Sequence, residues 1–264
     1  MDAIDKGKNI KAVFFDIDGT LFSHTLKKIP DSTIESLHLL REKGILTFLA
    51  TGRGMDEIEI MPVGRLPFDG YVTMNGHMCY DREKNLLHSI VMDEEDCRIF
   101  IKLFQEKTLP ICIVEKERMY LNFVNDTVER IYADITTEVV PVGEYQGGDI
   151  YQFVVFDNPK EWEQWMTGTK KSKIHFWHPM AADILHSDSG KAASIGIILP
   201  FYELTKDEIM VIGDGENDID MIEYAGIGVA MGNAEEIVKI HADYVTEYID
   251  EDGLKHALEH YGLI

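Results

Sequence analysis

Ala12-Val13-Phe14-Phe15-Asp16-Ile17-Asp18-Gly19-Thr20 is the stretch from which the fold is read. Four apolar residues without alternation suit a strand buried on both faces, and such strands belong to parallel sheets covered by helices. The run ends at an acid. Two carboxylates two residues apart at a strand end repel each other unless a cation lies between them, and Gly19 allows the sharp turn that follows. Taken alone, the segment is also what an ordinary Asp- and Gly-rich surface turn looks like.

Outward from this strand the same grammar repeats. Pro30-Asp31-Ser32 opens a helix with Ile34, Leu37 and Leu40 on one face, stopped at Gly44. Residues 45–50 form a second buried strand, running into Thr51-Gly52-Arg53. A β-α-β order predicts a parallel sheet with crossover helices. Near the C-terminus, strands at 208–213, 227–231 and 243–246 alternate with helices at 217–224, 234–240 and 253–260. Both ends of the chain therefore belong to one doubly wound parallel-sheet α/β core.

The middle reads differently. Asn75-Gly76, flanked by residues 71–74 and 77–80, is a strong hairpin signal. Cys97, Phe100, Ile101 and Phe104 mark a helical stripe. Strand-like runs follow at 111–114, 119–123, 151–156 and 174–177, with a helix around Trp162, Trp165 and Met166 between the last two. The expected organisation is a core of residues 1–83 and 187–264 with an inserted α+β segment, 84–186.

Four polar segments lie where the sheet would present its carboxyl edge, the place where such folds bind ligands. The first is Asp16 to Thr20. Thr51-Gly52-Arg53 offers a hydroxyl and an amide to a phosphate oxygen, although strand-Thr-Gly is an everyday loop and an arginine such as Arg53 is more often a surface charge than a ligand, its functional reading being a guard at the mouth of the site. In Ser187-Asp188-Ser189-Gly190-Lys191 a lysine opens an apolar helix. There it opposes the helix dipole by a few tenths of a kcal/mol unless a bound anion reverses the sign. Gly213-Asp214-Gly215-Glu216-Asn217-Asp218 clusters oxygen ligands of the kind that suit magnesium, and it fits a calcium loop poorly.

Composition narrows the partners. Lys and Arg total 25 against 47 acids, a net charge of -22, so nucleic acid and anionic membrane surfaces are repelled. No apolar run reaches the ~18 residues of a membrane helix. The polar start of the chain does not resemble a signal peptide, which makes a cytoplasmic location the expectation. Cys79, Cys97 and Cys112 form no close pair and read as core residues in a reducing compartment. His175 and His178 have metal-compatible spacing without a third ligand, and His256 and His260 read as helix surface.

Taken in order, the four segments identify a resemblance. Asp-Ile-Asp-Gly-Thr at 16–20, Thr51, Lys191 and Gly-Asp-Gly-Glu-Asn-Asp at 213–218 resemble the motifs of the haloacid dehalogenase superfamily of phosphatases. The similarity is to the Cof-like class IIB, with a large α/β cap of the C2B type, and it runs nearly the whole chain. Ala192 stands where the Cof-like pattern usually has Gly.

The resemblance implies a Rossmann-like core, a specificity cap that closes over the leaving group, and a magnesium-dependent phosphomonoesterase. Its substrate would be a small phosphorylated metabolite of the sugar-phosphate kind, and no obligate protein partner is evident. It implies Asp16 as nucleophile and Asp18 as acid and base. Asp16, Asp18 (through its carbonyl), Asp214 and Asp218 would hold the metal. Ile17, Thr51, Gly52, Arg53, Lys191 and Asn217 would serve the phosphoryl group. Phe176, Trp177, His178 and Asp183, near the return to the core, read as packing. The alternatives are a phosphomutase with the same residues, a receiver-like signalling domain, which leaves Asp18 unexplained, and a non-catalytic phosphate-binding protein.

Overall fold

A computed structural model describes residues 2–135 and 137–264. From the N-terminus run α1 (Ala3–Gly7), β1 (Ala12–Phe15), α2 (Asp31–Glu42), β2 (Leu46–Ala50), α3 (Met55–Ile60), β3 (Gly70–Thr73), β4 (Met78–Asp81) and β5 (Leu86–Ser89). The middle holds α4 (Glu94–Glu106), β6 (Ile111–Val114), β7 (Met119–Leu121), α5 (Asp126–Asp134), β8 (Gln152–Val155), α6 (Trp162–Trp165), β9 (Ser172–His178) and β10 (Ala181–His186). The return carries α7 (Lys191–Ile198), β11 (Ile209–Gly213), α8 (Ile219–Tyr224), β12 (Ile227–Ala230), α9 (Glu236–Lys239), β13 (Tyr244–Val245) and α10 (Gly253–His260). The chain divides into two compact units, Met1–Ser89 with Gly190–Ile264, and Ile90–Ser189.

In the first unit, among the described residues, eight strands pair in the order β13-β12-β11-β1-β2-β3-β4-β5. The six from β13 to β3 run parallel, and β4 and β5 are added antiparallel. β1 lies between β2 and β11, with Phe14 level with Phe48 on one side and Val211 on the other. All four residues of β1 are buried, as expected of a strand covered on both faces. Phe14 and Phe48 stack with ring centroids 4.5 Å apart, and Tyr202 meets Phe48 edge-on at 4.7 Å. Ile195 and Ile198 of α7 share that core. Fully burying one such ring contributes about 1.5–3 kcal/mol. The chain leaves β1 toward β2 on one side and returns to it at β11 on the other, so the order switches at β1, and the ligand crevice of this fold class lies there.

The Asn75-Gly76 signal marks a hairpin, but a wider one than a two-residue turn. Thr73 pairs with Met78, so four residues close it. The strand after it changes the division of the chain. The insert was expected over 84–186, yet β5 pairs with β4 and so belongs to the first sheet. The unit that follows is Ile90–Ser189.

In that second unit, among the described residues, five strands pair antiparallel in the order β7-β6-β8-β10-β9. The stripe of α4 packs on it through Cys97, Phe100 and Phe104, with Phe100 and Phe153 at 5.0 Å. The buried Asp96 carboxylate accepts from the amides of Lys170 and Lys171 and from Ser172 Oγ at 2.7–2.9 Å, tying the start of α4 to the start of β9. Trp177 donates its indole N–H to Asp183 at 2.8 Å, and Phe176 meets Trp162 edge-on. Phe176 and Trp177 are nonetheless more than a third exposed. Among the described residues no helix is long and apolar enough to cross a membrane.

Candidate active site

Asp16, Thr51 and Asp214 each follow immediately on the last residue of β1, β2 and β11, three adjacent strands. The parallel registers of these strands therefore bring them to one edge. Lys191 opens α7 and is 1% exposed. Its ammonium reaches Asp16 Oδ1 at 2.7 Å and Asp218 Oδ1 at 2.5 Å. The other oxygen of Asp218 accepts from the amides of Asp214 and Gly215 at 3.0 and 2.9 Å, so Asp218 fixes the loop in which it stands. Gly19, at φ 81°, lies so close to the Asp214 carboxylate that a Cβ there would sit 2.1 Å from its oxygen. Only a glycine fits this turn.

Charge is out of balance at this edge. Burial is the largest influence on Asp16 and raises its carboxyl. Lys191 opposes that, Asp218, Asp214 and Asp18 reinforce it, and the group ends well above the usual carboxylate range. Burial, then Asp218, lifts Asp214 to about 7 against Thr20 and Lys191. For Lys191, burial disfavours the charge, but Asp16 and Asp218 outweigh it and hold the ammonium more firmly than usual. One buried ammonium thus faces Asp16, Asp214 and Asp218, whose ligand oxygens lie within 4.8 Å of one another. Hard oxygen donors with surplus negative charge fit a magnesium ion.

Asp18 faces a different set of partners. Arg53 grips its carboxylate with two bonds, Nε to Oδ2 at 2.7 Å and a second guanidinium nitrogen to Oδ1 at 2.9 Å, and His24 Nε2 lies 2.8 Å from Oδ1. Glu57 holds the far side of Arg53 at 3.3 Å. Burial alone would raise Asp18, but the bonds and charge of Arg53, followed by His24, outweigh it and leave the pKa lowered. Arg53, expected at the phosphoryl group, is therefore brought to the Asp18 carboxylate.

The other expected residues gather on the same edge. The carbonyl of Ile17 accepts from the amides of Thr20, Leu21 and Phe22, which shapes the turn after β1. Thr51 is buried and its Oγ1 accepts from the Arg53 amide at 3.1 Å. Gly52 and Asn217 both adjoin Asn75. Ala192, the departure from the Cof-like pattern, packs its methyl against the core while its amide donates to Asp220 Oδ2 at 3.2 Å.

Several partners are not apparent from the sequence. Thr20 Oγ1 donates to Asp214 at 3.1 Å, and Asn233 Nδ2 donates to Gly19 O and to Asp214 Oδ2 at 2.9 and 3.0 Å. Asn233 stands in a polar loop directly after a buried strand, the signal that singled out the other segments, and it could have been found the same way. His24 carries no such mark, and Asn75 is marked only as a turn residue. Elsewhere, among the described residues, His175 and His178 join no metal-like cluster. His256 Nδ1 lies 3.2 Å from Glu247, and His260 stacks on Tyr244 at 4.1 Å.

A family model of haloacid dehalogenase-like hydrolases matches residues 13–258. YkrA of Bacillus subtilis, provisionally named a phosphatase, is 30% identical over 259 residues, which cover 96% of this chain and 98% of YkrA. Among solved structures, a phosphatase of the haloalkanoate superfamily from Bacteroides thetaiotaomicron has a TM-score of 0.89 at 32% identity, covering 97% of this chain and 96% of that one. A sugar phosphatase of haloacid dehalogenase subclass IIB has a TM-score of 0.84 at 34% identity, with 96% and 100% covered.

Proposed function

We propose that this chain, which belongs to the haloacid dehalogenase-like hydrolases and is a phosphatase, cleaves small phosphorylated metabolites of the sugar-phosphate class with Asp16 as nucleophile. The observation that carries this reading is the Asp16–Lys191–Asp218 chain of bonds at the carboxyl edge of the sheet. It holds one oxygen of the Asp16 carboxylate against the ammonium and fixes the side chain in place.

The Asp16 carboxylate attacks phosphorus, and the bond from phosphorus to the ester oxygen breaks. The carboxyl of Asp18 gives its proton to the departing alkoxide. The aspartyl phosphate is then opened by water, whose proton passes to the Asp18 carboxylate, and inorganic phosphate leaves. Gripped by Arg53 and His24, Asp18 is a carboxylate, a base, so the acid step requires that it be released from Arg53 and take up a proton. Thr51, the amides of Ile17 and Gly52, Lys191 and Asn217 hold the phosphoryl oxygens. Alignment and charge neutralisation are what this transfer chiefly needs.

Asp16, Asp214 and the carbonyl of Asp18 would hold a magnesium ion, with Asp218 supporting them. When bound, that ion offsets the charge of the phosphoryl group.

The test is phosphate release from a panel of sugar phosphates, nucleotides and pyridoxal phosphate, with magnesium and with EDTA, on the wild type and Asp16→Asn. The expected result is magnesium-dependent release, strongest among the sugar phosphates and reduced to background in the variant. Release that survives in Asp16→Asn removes Asp16 as nucleophile, and release that survives EDTA removes the metal.

A further inference from the structure

The turn between β3 and β4 meets the loops of the site at three places. Met74, Asn75 and Gly76 all have left-handed backbones, with φ of 52°, 51° and 86°. Asn and Gly adopt that conformation readily, whereas Met does so at a cost that its surroundings must offset. Bonds on either side hold it. The Met74 amide donates to Arg53 O at 2.9 Å, and the Asn75 amide donates to Thr51 O at 3.1 Å. On the next side, Ser194 of α7 donates its hydroxyl to Gly76 O. Gly76 comes so close to Gly190, the residue before Lys191, that a Cβ there would lie 2.1 Å from its carbonyl oxygen. The third contact is made by a side chain. Asn75, 5% exposed, accepts from Asn217 Nδ2 at 3.0 Å, and a Cβ on Gly52 would stand 3.1 Å from the same oxygen.

We infer that Asn75 is a positioning residue of the phosphate site. Its side-chain oxygen fixes the amide of Asn217 toward the phosphoryl group, and its backbone fixes the Thr51-Gly52 loop beside it. This rests on the reading that Asn217 and the Gly52 amide hold phosphoryl oxygens. Asn suits the position twice over. It tolerates the left-handed backbone, and its side-chain oxygen accepts a bond without adding charge beside an anion. An aspartate would share the shape but repel the ligand.

The test measures competitive inhibition by inorganic phosphate, and its direct binding by calorimetry, on the full chain with magnesium. The variants are Asn75→Gly, Asn75→Ala, Asn217→Ala and the double variant Asn75→Gly/Asn217→Ala. Asn75→Gly keeps the backbone freedom and loses the side chain, and it should weaken phosphate binding about 3- to 10-fold, the worth of one neutral hydrogen bond. Asn75→Ala should weaken it by the same factor while lowering the melting midpoint further, because its Cβ must sit at positive φ. This pair separates positioning from folding.

In the Asn217→Ala background, Asn75→Gly should add less than about 2-fold, since contacting residues couple. Full multiplication of the two effects, or unchanged phosphate binding in Asn75→Gly, overturns the inference. Unchanged binding in Asn217→Ala also overturns it, while leaving the phosphatase reading to stand on Asp16. Failure of that reading appears separately, as hydrolysis that persists in Asp16→Asn.

Discussion

Asp18 and Lys191 show how much one side chain's role depends on its partners. Asp18→Asn leaves a group that can neither donate nor take the proton, and phosphate release should fall on the order of 10²–10⁴-fold under steady-state assay, with substrates bearing poor leaving groups hit hardest. Lys191 is the buried cation between two acids. Replacing it with Met leaves Asp16 and Asp218 unpaired, a loss of about 3–5 kcal/mol that urea denaturation would reveal. A stability equal to wild type would mean that the acids are relieved some other way. The lysine and the acids at the strand and helix ends of the site were legible in the sequence because such charges are costly unless used, whereas His24 was not. The bonds made by Thr20, Asn75 and Asn233 were not, because neutral polar residues in loops are commonplace and nothing in a loop's own sequence names a distant partner. Their value lies in bonds to residues far away in the sequence, such as Asn75 to Asn217 and Asn233 to Gly19.

Elements were legible where their apolar pattern was pure. β1, β2, β11 and β12 are short runs buried along nearly their whole length, and α2 begins at Asp31 and ends just before Gly44, whose φ is 75°. β10 is buried throughout, yet its sequence, Ala-Ala-Asp-Ile-Leu-His, places a carboxylate at its centre and hides the strand. α5 buries only Val128, Ile131 and Tyr132 among charged neighbours, too narrow a stripe to stand out. The turn entering β11 permits a pH test. Thr205 and Glu208 cap each other, and Glu208 also pairs with Lys11 at 2.5 Å beside β1. The bond from Lys11, then those from Thr205, lowers the Glu208 carboxyl to about 2. A depressed carboxyl stabilises the fold above its unfolded pKa, and that contribution is lost as pH falls through the folded value. The difference in melting midpoint between wild type and Glu208→Gln should therefore be positive at pH 7 and shrink to nothing between about pH 4.5 and pH 2. A difference that does not change with pH would show that Glu208 acts through shape alone.

At the scale of the whole molecule, the three cysteines report on both units. Cys79 lies in the first, Cys97 and Cys112 in the second. Burial lifts each thiol to about 12, so a thiol reagent at pH 8 should titrate none of them in the native protein and all three in denaturant. The order in which they appear at intermediate urea would tell which unit opens first, and rapid labelling of the folded protein would contradict their burial. The strand order has a consequence in time. β1 needs β11 along one edge, and that partner leaves the ribosome about 200 residues later, on the order of 10–40 s at cellular rates of synthesis. Until then the nascent chain holds an apolar strand with one side open, a natural client for chaperones. Asp16 emerges long before the lysine and acids that surround it. A half-made chain thus holds Asp16 without the ammonium of Lys191 and the carboxylates of Asp214 and Asp218 that the folded edge sets beside it.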